Sequence, residues 1–473
     1  MRRTKIVATL GPAWETPDQM RSLLDAGVSV VRINSSHGTP EIRARWIDDL
    51  KTVQRERATS CATLVDLQGP RIRVGDLPAP RQLVSKEVVT FAPEARAEEG
   101  EIPTTYDGLA GDVKVGSRIL LDDGLLTVDV TKVHGDRVSG TVRYGGELKA
   151  HKGMNLPGIE VSAPAITDKD REDAIQAAAQ GVDYIGMSFV RRGDDLDEMR
   201  RLLPKTVKII AKIEKDTALL HLDGILEAAD AIMVARGDLG VELPFEQVPL
   251  VQKRLIREAD RHGKPVITAT QMLESMIKAP RPTRAEVSDV ANAILDGTDA
   301  VMLSAETAVG NYPLLAVRAM DRIAREVESH RREGSTEPAW ETSAVHLRQP
   351  HVTARTEDAI AVAVCAAAEL LKVPLIVCLT SSGFTARTVA SYRPTVPILA
   401  ITPEPETFRH LALVWGVIPV RIDHYPDYDK AFPVAQSLIR KMGLADPGER
   451  VVVTAGVPFD VAGTTNFLKI ETV

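Results

Sequence analysis

The sequence predicts an α/β protein: a (β/α)8 TIM barrel, a small all-β lid domain inserted into it, and a C-terminal α/β domain with an open sheet. Three observations carry this. Eight short apolar segments alternate with helical patterns. The interval between the third and fourth loses the helical period and fills with strands punctuated by turns. After a polar, aperiodic stretch, the βα rhythm resumes as a separate unit. For the eight-strand unit, an open doubly wound sheet is the alternative.

The eight strands begin, in order, with "TKIVATLG" at Thr4, "VSVVRINSSH" at Val28, "CATLVDL" at Cys61 and "VDYIGMSF" at Val182. They continue with "KIIAKIE" at Lys208, "AIMVARGD" at Ala231, "PVITATQ" at Pro265 and "AVMLSAET" at Ala300. Each is apolar and β-branched, as a strand covered on both faces must be. Between them, "TPDQMRSLLDAG" offers Thr16 as an N-cap, and "EQVPLVQKRLIREADRHG" ends on Gly263. The anomalous interval contains "GSRILLDDGLLTVDVTKVHGDRVSGTVRYGG", with Asp-Asp-Gly, His-Gly-Asp and Gly-Gly turns. It reads as an inserted β-barrel lid over 70–165, at the catalytic end of a barrel over 1–69 and 166–335. From Gly334, "GSTEPAWETSAVHLRQPHVTART" reads as a linker. The third domain, 350–473, opens on the helical "DAIAVAVCAAAELLK" and carries strands "PLIVCLT", "VPILAIT", "VIPVRID" and "RVVVTAG".

Composition narrows the function. The chain has 473 residues, 44% hydrophobic and 26% charged, enough for about three domains with real cores. Aromatics at 4% argue against stacked nucleobases, and a net charge of −7 leaves no basic footprint for nucleic acid or an anionic membrane. Cys61, Cys365 and Cys378 have no metal-type spacing and read as reduced thiols. "MRRTKIVATLGP" is too short an apolar run for a signal peptide or a membrane span, so a cytoplasmic location is expected.

Barrel enzymes work at the C-terminal ends of their strands. Here those ends carry Arg32, Asn34, Ser36 and His37 (strand two), Asp66 (three), Lys212 and Glu214 (five), Asp238 (six), Thr270 and Gln271 (seven), and Ser304 and Glu306 (eight). Any one could be a satisfied structural polar; six strands converging on one mouth point to a shared site. Lys212 and Glu214 are two apart in a strand and so share a face. Glu214 and Asp238 lie one βα unit apart, which brings two carboxylates together. Unpaired, they repel, and one takes up a proton. A divalent cation removes the conflict, and all-oxygen ligands favour Mg2+ or Mn2+ over zinc. Lys212 adds a fixed charge and Arg32 a planar fork for phosphate. Together these stabilise a phosphoryl group in transfer. "RGDLG" starts a short helix whose N–H groups suit a carboxylate. The bland reading of Lys212 and Glu214 alone is a buried ion pair that fixes the barrel.

The segments "TKIVATLGPA", "VVRINSSHG", "GPRIR", "KGMNLPG", "AKIEK", "VARGDLGVE", "TATQMLESMI", "PTRAEVSDVANAILDGTDAVMLSAETA" and "GNYP" together resemble the pyruvate kinase family over essentially the whole chain. The resemblance implies the same three-part architecture. It also implies transfer of the phosphoryl group of phosphoenolpyruvate to ADP, giving pyruvate and ATP in the last step of glycolysis. Carried onto these residues, it makes Lys212 the stabiliser of the transferring group and Arg32 its clamp. Glu214 and Asp238 become the Mg2+ ligands, and the Gly237 and Asp238 N–H groups the carboxylate site. Thr270 faces the enolate, with Ser304 and Glu306 in the proton route. Asn34, His37 and Arg73 lie near the nucleotide phosphates, where a second Mg2+ arrives with ADP.

Two further implications concern regulation and cations. "TSSGFTARTVASYRP" places Thr380, Ser381, Ser382, Gly383 and Thr385 at a helix start, where the family binds phosphorylated activators such as a sugar phosphate or AMP, in a homotetramer. "GTTN" from Gly463 matches a closing loop; an N-cap turn is the simpler reading. Potassium-activated members read Asp-Thr-Lys-Gly-Pro-Glu-Ile-Arg-Thr after strand three. Here Asn34, Ser36, Asp66 and Leu67 match the K+ ligand positions, but Arg71 stands where that Glu would be. Leu67, Gln68 and Val74 resemble the potassium-independent branch. A guanidinium at Arg71 supplies in cis what K+ supplies from solution, so K+ is expected not to be required; the bland reading of Arg71 is a solvated hinge residue of the lid. The rival enzyme reading is a metal-dependent lyase or aldolase acting on pyruvate-like substrates, which has no need for Arg32 or the lid. An inactive metabolite sensor would be expected to have lost Lys212 or a metal carboxylate.

Overall fold

The structure is a computed structural model that describes residues 1–14, 16–57, 60–330, 355–425, 427–458 and 463–473. β1 (Lys5–Thr9), β2 (Val30–Asn34) and β3 (Ala62–Asp66) precede eight strands of the insert. These are β4 (Arg81–Leu83), β5 (Val88–Pro93), β6 (Ile102–Thr104), β7 (Arg118–Leu121), β8 (Leu126–His134), β9 (Arg137–Tyr144), β10 (Gly146–Leu148) and β11 (Met154–Asn155). Then come β12 (Tyr184–Met187), β13 (Lys208–Ile213), β14 (Ala231–Ala235), β15 (Val266–Ala269) and β16 (Ala300–Leu303). Strands β1, β2, β3 and β12–β16 close into one parallel ring in the order β1-β16-β15-β14-β13-β12-β3-β2. The closed ring, not the open doubly wound sheet, is therefore the fold.

Closure explains the apolar runs, because each strand faces two cores. In β13, Ile209, Ala211 and Ile213 point outward to the helices. Ile210 points inward, with Val7, Val30, Leu64, Met233 and Met302. The alternation carries Lys212 and Glu214 inward at the mouth. The helices start where the sequence marks them. Thr16 accepts from Gln19 N at the head of Pro17–Asp25, which has a proline in its first turn. The helix Val248–Arg261 stops before Gly263, which takes the left-handed φ of +62°.

The insert leaves the C-terminal end of β3, so it stands over the mouth. Its strands form a two-stranded ladder, β10-β4, and a six-stranded sheet, β11-β7-β8-β9-β5-β6, within which β5 and β6 run parallel. The sheet edges meet only through Arg73 and Val74, whose single bridges reach Gly153 and Thr104. The predicted lid barrel is thus a sheet closed by one irregular segment. Asn155 Nδ2 donates to Glu242 Oε1 of the barrel at 2.9 Å, and Glu242 pairs with Lys215 at 2.9 Å, pinning the insert to the rim.

The C-terminal sheet has the order β19-β18-β17-β20-β21, from β17 (Ile376–Leu379), β18 (Ile398–Thr402), β19 (Val417–Arg421), β20 (Arg450–Ala455) and β21 (Phe467–Thr472). The antiparallel edge strand β21 is absent from the sequence reading. Ala412 and Leu413 of this domain pack into the inner barrel core and plug its floor. The linker reading runs over 334–356, of which 334–354 lie outside the described residues, and Thr356 already opens the helix Thr356–Leu370. Among the described residues no helix is long and apolar enough to cross a membrane. Cys61, Cys365 and Cys378 are buried free thiols, and burial raises the pKa of all three.

Candidate active site

Parallel strands deliver all their C-terminal ends to one mouth, and five charged groups meet there. Asp66 closes β3 at 1% exposure. Arg32 donates to its Oδ2 from Nε at 2.7 Å and lies 2.6 Å away through Nη2. Arg32 Nη1 also reaches Thr9 Oγ1 at 3.1 Å, so the fork is held in one plane. Lys212 Nζ sits 3.0 Å from Asp66 Oδ1 and 2.8 Å from Glu214 Oε1. It donates to Ser188 Oγ at 2.7 Å, and that hydroxyl donates to Leu67 O at 2.7 Å. Glu214 Oε2 accepts from Phe189 N at 2.7 Å.

The electrostatics follow from burial and partners. Burial alone would lower Lys212, but Asp66 and Glu214 outweigh it and hold its pKa above the ordinary value, so it is a cation at neutral pH. Burial would raise Asp66, yet Lys212 and Arg32 pull it below the usual carboxylate range. Glu214 goes the other way: burial dominates, Lys212 offsets it in part, and Asp238 pushes it further up. Asp238 thus lies close enough to Glu214 to act on its charge.

A divalent cation fits this arrangement. Glu214 Oε1 and Asp66 Oδ1 are buried and accept no hydrogen bond, although Lys212 is within ion-pair distance of both. Glu214 Oε1 is thus engaged by the Lys212 ion pair alone, which leaves it capacity to bind a cation. Among the described residues no set of three or more His, Cys, Asp or Glu side chains forms a complete metal cage. Two carboxylates leave the rest of a divalent ion's shell to water and substrate oxygens.

Beside this centre the backbone is strained. Thr270 and Gln271 take φ of +68° and +55°, a conformation costing a β-branched residue about 1–3 kcal/mol. Arg236 holds it there by donating to Thr270 O at 2.7 Å and to Ala269 O at 3.3 Å. Gly237 N donates to Thr270 Oγ1 at 2.8 Å, at the start of the helix Arg236–Glu242. Glu306 spends both oxygens on backbone, Leu273 N at 3.1 Å and Ser304 N at 2.7 Å, and so braces the ends of β15 and β16.

The remaining predicted residues lie around the rim. Asn34 pairs in register with Asp66 and accepts from Ser36 N at 3.0 Å; Ser36 and His37 are exposed. The Leu67 carbonyl is occupied by Ser188. Arg73 is on the lid, donating to His151 O at 2.8 Å. Arg71 is exposed and lies 5.9 Å over the Phe189 ring. Thr380, Ser381, Ser382, Gly383 and Thr385 are far away in sequence and fold, before and within the helix Phe384–Ser391. There Thr380 Oγ1 accepts from Gly383 N at 3.0 Å, and Thr385 Oγ1 meets Thr465 Oγ1 at 2.8 Å. The "GTTN" loop thus touches the helix start, as expected.

The sequence reading missed Ser188, Phe189 and Thr9. Ser188 closes "YIGMS" after β12 and was open to the same strand-end rule that found the others. Phe189, at φ +54°, is invisible to pattern, since only the fold shows that its N–H faces Glu214. Asp66, which matches a potassium-ligand position of the family, is also the shared partner of Arg32 and Lys212.

Comparison with known proteins agrees with the geometry. The family models "Pyruvate kinase, barrel domain" and "Pyruvate kinase, alpha/beta domain" match residues 1–317 and 358–471. The chain is 45% identical over 483 residues to a pyruvate kinase of Geobacillus stearothermophilus, covering 100% of this chain and 80% of the relative. It is 40% identical over 480 residues to a pyruvate kinase of Clostridium acetobutylicum, with both chains covered in full. The crystal structure of a pyruvate kinase from Cryptosporidium parvum superposes with a TM-score of 0.93 at 34% identity, covering 100% of this chain and 96% of that one. The chain belongs to the pyruvate kinase family.

Proposed function

We propose that Lys212, Arg32, Glu214, Asp238 and Thr270 carry out the family's reaction here, phosphoryl transfer from phosphoenolpyruvate to ADP. The observation that carries this reading is the shared carboxylate Asp66. It orients both cations, Arg32 and Lys212, toward one point before any substrate arrives. Arg32 grips the phosphoryl oxygens with a fork already fixed by Asp66 and Thr9. Lys212, held charged, meets the negative charge that spreads over the group in flight. Glu214 and Asp238 would hold a divalent ion of the kind the family uses, Mg2+ or Mn2+; when bound, it neutralises phosphate and carboxylate charge. The Gly237 and Asp238 N–H groups would receive the substrate carboxylate, the Gly237 N–H exchanging its bond to Thr270 Oγ1 for it. Thr270 Oγ1, placed by Gly237 N, lies on the route of the proton that converts the enolate to pyruvate, with Ser304 next and Glu306 bracing it. Asn34, His37 and Arg73 border the nucleotide side, where closure of the lid brings Arg73 in.

The enzyme works without potassium. The Arg71 guanidinium stacks on Phe189, whose backbone N–H holds Glu214, so a fixed cation already stands beside the site. The Leu67 carbonyl, one matching K+ ligand, already accepts a hydrogen bond from Ser188, which leaves it one lone pair. Initial rates in tetramethylammonium buffer with Mg2+ are expected to equal those with added KCl to within about twofold, as for a weakly coupled surface charge. Arg71→Glu is expected to gain activation by K+. A strong rise with KCl in the unmutated enzyme would remove the proposal.

The loop Thr380–Thr385 binds the phosphate of a sugar phosphate or AMP effector in a homotetramer. Its support is the hydroxyl array at the head of Phe384–Ser391, opened by Gly383 at φ +77°. Equilibrium dialysis is expected to show one such ligand per chain bound outside the barrel, lost in Thr385→Val. Three buried free thiols suit the reducing cytoplasm.

A further inference from the structure

The barrel floor, opposite the mouth, carries a second concentration of charge. Four neighbouring strands, β12 to β15, begin at or just after Asp183, Lys208, Asp230 and Lys264. The C-terminal domain lays Arg387, on Phe384–Ser391, and Arg409 and His410, on the helix Pro405–His410, against this rim. The docking is fixed. Tyr184 Oη donates to His410 O at 2.8 Å, the two rings meet edge to face at 5.4 Å, and Ala412 and Leu413 enter the inner core.

The charges at this junction do not balance. Arg200 and Lys208 share Asp230 at 2.7 and 3.5 Å, and Arg409 takes Asp183 at 2.6 Å. Lys264 reaches a carbonyl, Ala229 O, at 2.6 Å, and Arg387 reaches Ser382 O at 3.1 Å. Neither pairs with a carboxylate among the described residues. Five cations thus face two acids. In their midst His410 is 7% exposed, and its Nε2 has no hydrogen-bond partner among the described residues. Burial first, then Lys208, Arg409 and Arg387, lowers its pKa to about 4, so the ring is neutral at pH 7. Burial lowers Lys264 too; Asp230 opposes this, while Arg387, Arg200 and Lys208 add to it. A buried ring nitrogen without a partner, among excess cations, lacks an anion that accepts hydrogen bonds.

We propose that this junction binds a phosphate group, free or as a monoester, through Lys208, Lys264 and Arg387, with His410 Nε2 as hydrogen-bond donor. The site adjoins the loop Thr380–Thr385 through Arg387, whose Nη1 donates to Ser382 O, while Thr385 points instead to Thr465. An anion here ties the C-terminal domain to β13 and β15, whose other ends carry Lys212 and Thr270.

The test uses the full chain with 13Cε1-labelled histidine, the His410 signal being assigned through His410→Asn. Inorganic phosphate is expected to shift that signal saturably. Lys208→Gln and Arg387→Gln are each expected to weaken the apparent Kd by about tenfold, while Thr385→Val leaves it unchanged. Lys208 is 32% exposed on its side chain, so its variant tests the site without endangering the fold. A parallel titration with a hexose monophosphate separates the sources: tighter binding supports an ester, equal binding supports free phosphate. No response of the His410 signal to either anion, or an unchanged Kd in both cation variants, overturns the proposal.

Discussion

Lys212→Met lowers turnover by at least about a hundredfold to a thousandfold, the loss typical of one charge aimed at a transition state. Its ammonium lies 3.0 Å from Asp66 and 2.8 Å from Glu214, poised between the two and hydrogen-bonded to Ser188. That charge matters most when the phosphoryl group is between oxygens, so the effect falls on kcat more than on substrate binding. The fold survives for two reasons. Methionine keeps the apolar stem, and Asp66 retains Arg32. Glu214, already pushed toward its neutral form by burial, can take up a proton or a divalent ion. Steady-state kinetics beside a thermal melt separate the two effects. Near-normal turnover in the folded variant contradicts the role given to Lys212.

Arg393→Met destabilises the junction of barrel and C-terminal domain by about 3–5 kcal/mol, the cost of orphaning a buried charge. Arg393 is 4% exposed and bonds Asp299 at 3.0 Å, Asp260 at 2.7 Å and Gly297 O at 2.6 Å. It also lies 5.2 Å over the Trp415 ring. Burial opposes its charge, but Asp260 and Asp299 outweigh burial and raise its pKa. Without it, Asp299 keeps the N–H groups of Val266 and Trp415 but no cation. A fall in Tm on the order of 10 °C is expected. A melt within about 2 °C of the unmutated enzyme, well inside the spread of surface changes, would show that the junction does not depend on this residue.

The strands of the barrel were legible because closure demands apolar β-branched runs, and eight of them stand out. Lys212 and Glu214 were legible because a two-residue period fixes their common face. Ser188 obeys the same strand-end rule, but its hydrogen bond to Lys212 shows only once β12 and β13 are paired in register. The double partnership of Asp66 was hidden for the same reason, since Arg32 and Lys212 meet it from strands on either side. "FLKIET" escaped because an exposed edge strand half covered by charge carries little hydrophobic signal. Residues 410–416 fall within the third domain, 350–473, and only the docked structure shows Leu413 filling the barrel floor.

The most direct test measures pyruvate and ATP together from phosphoenolpyruvate and ADP, with Mg2+ titrated in tetramethylammonium buffer. The account predicts one ATP per pyruvate at every Mg2+ concentration, no pyruvate without ADP, and loss of both products on chelation or in Glu214→Gln. Pyruvate released without ADP, or a rate indifferent to chelation, would contradict it.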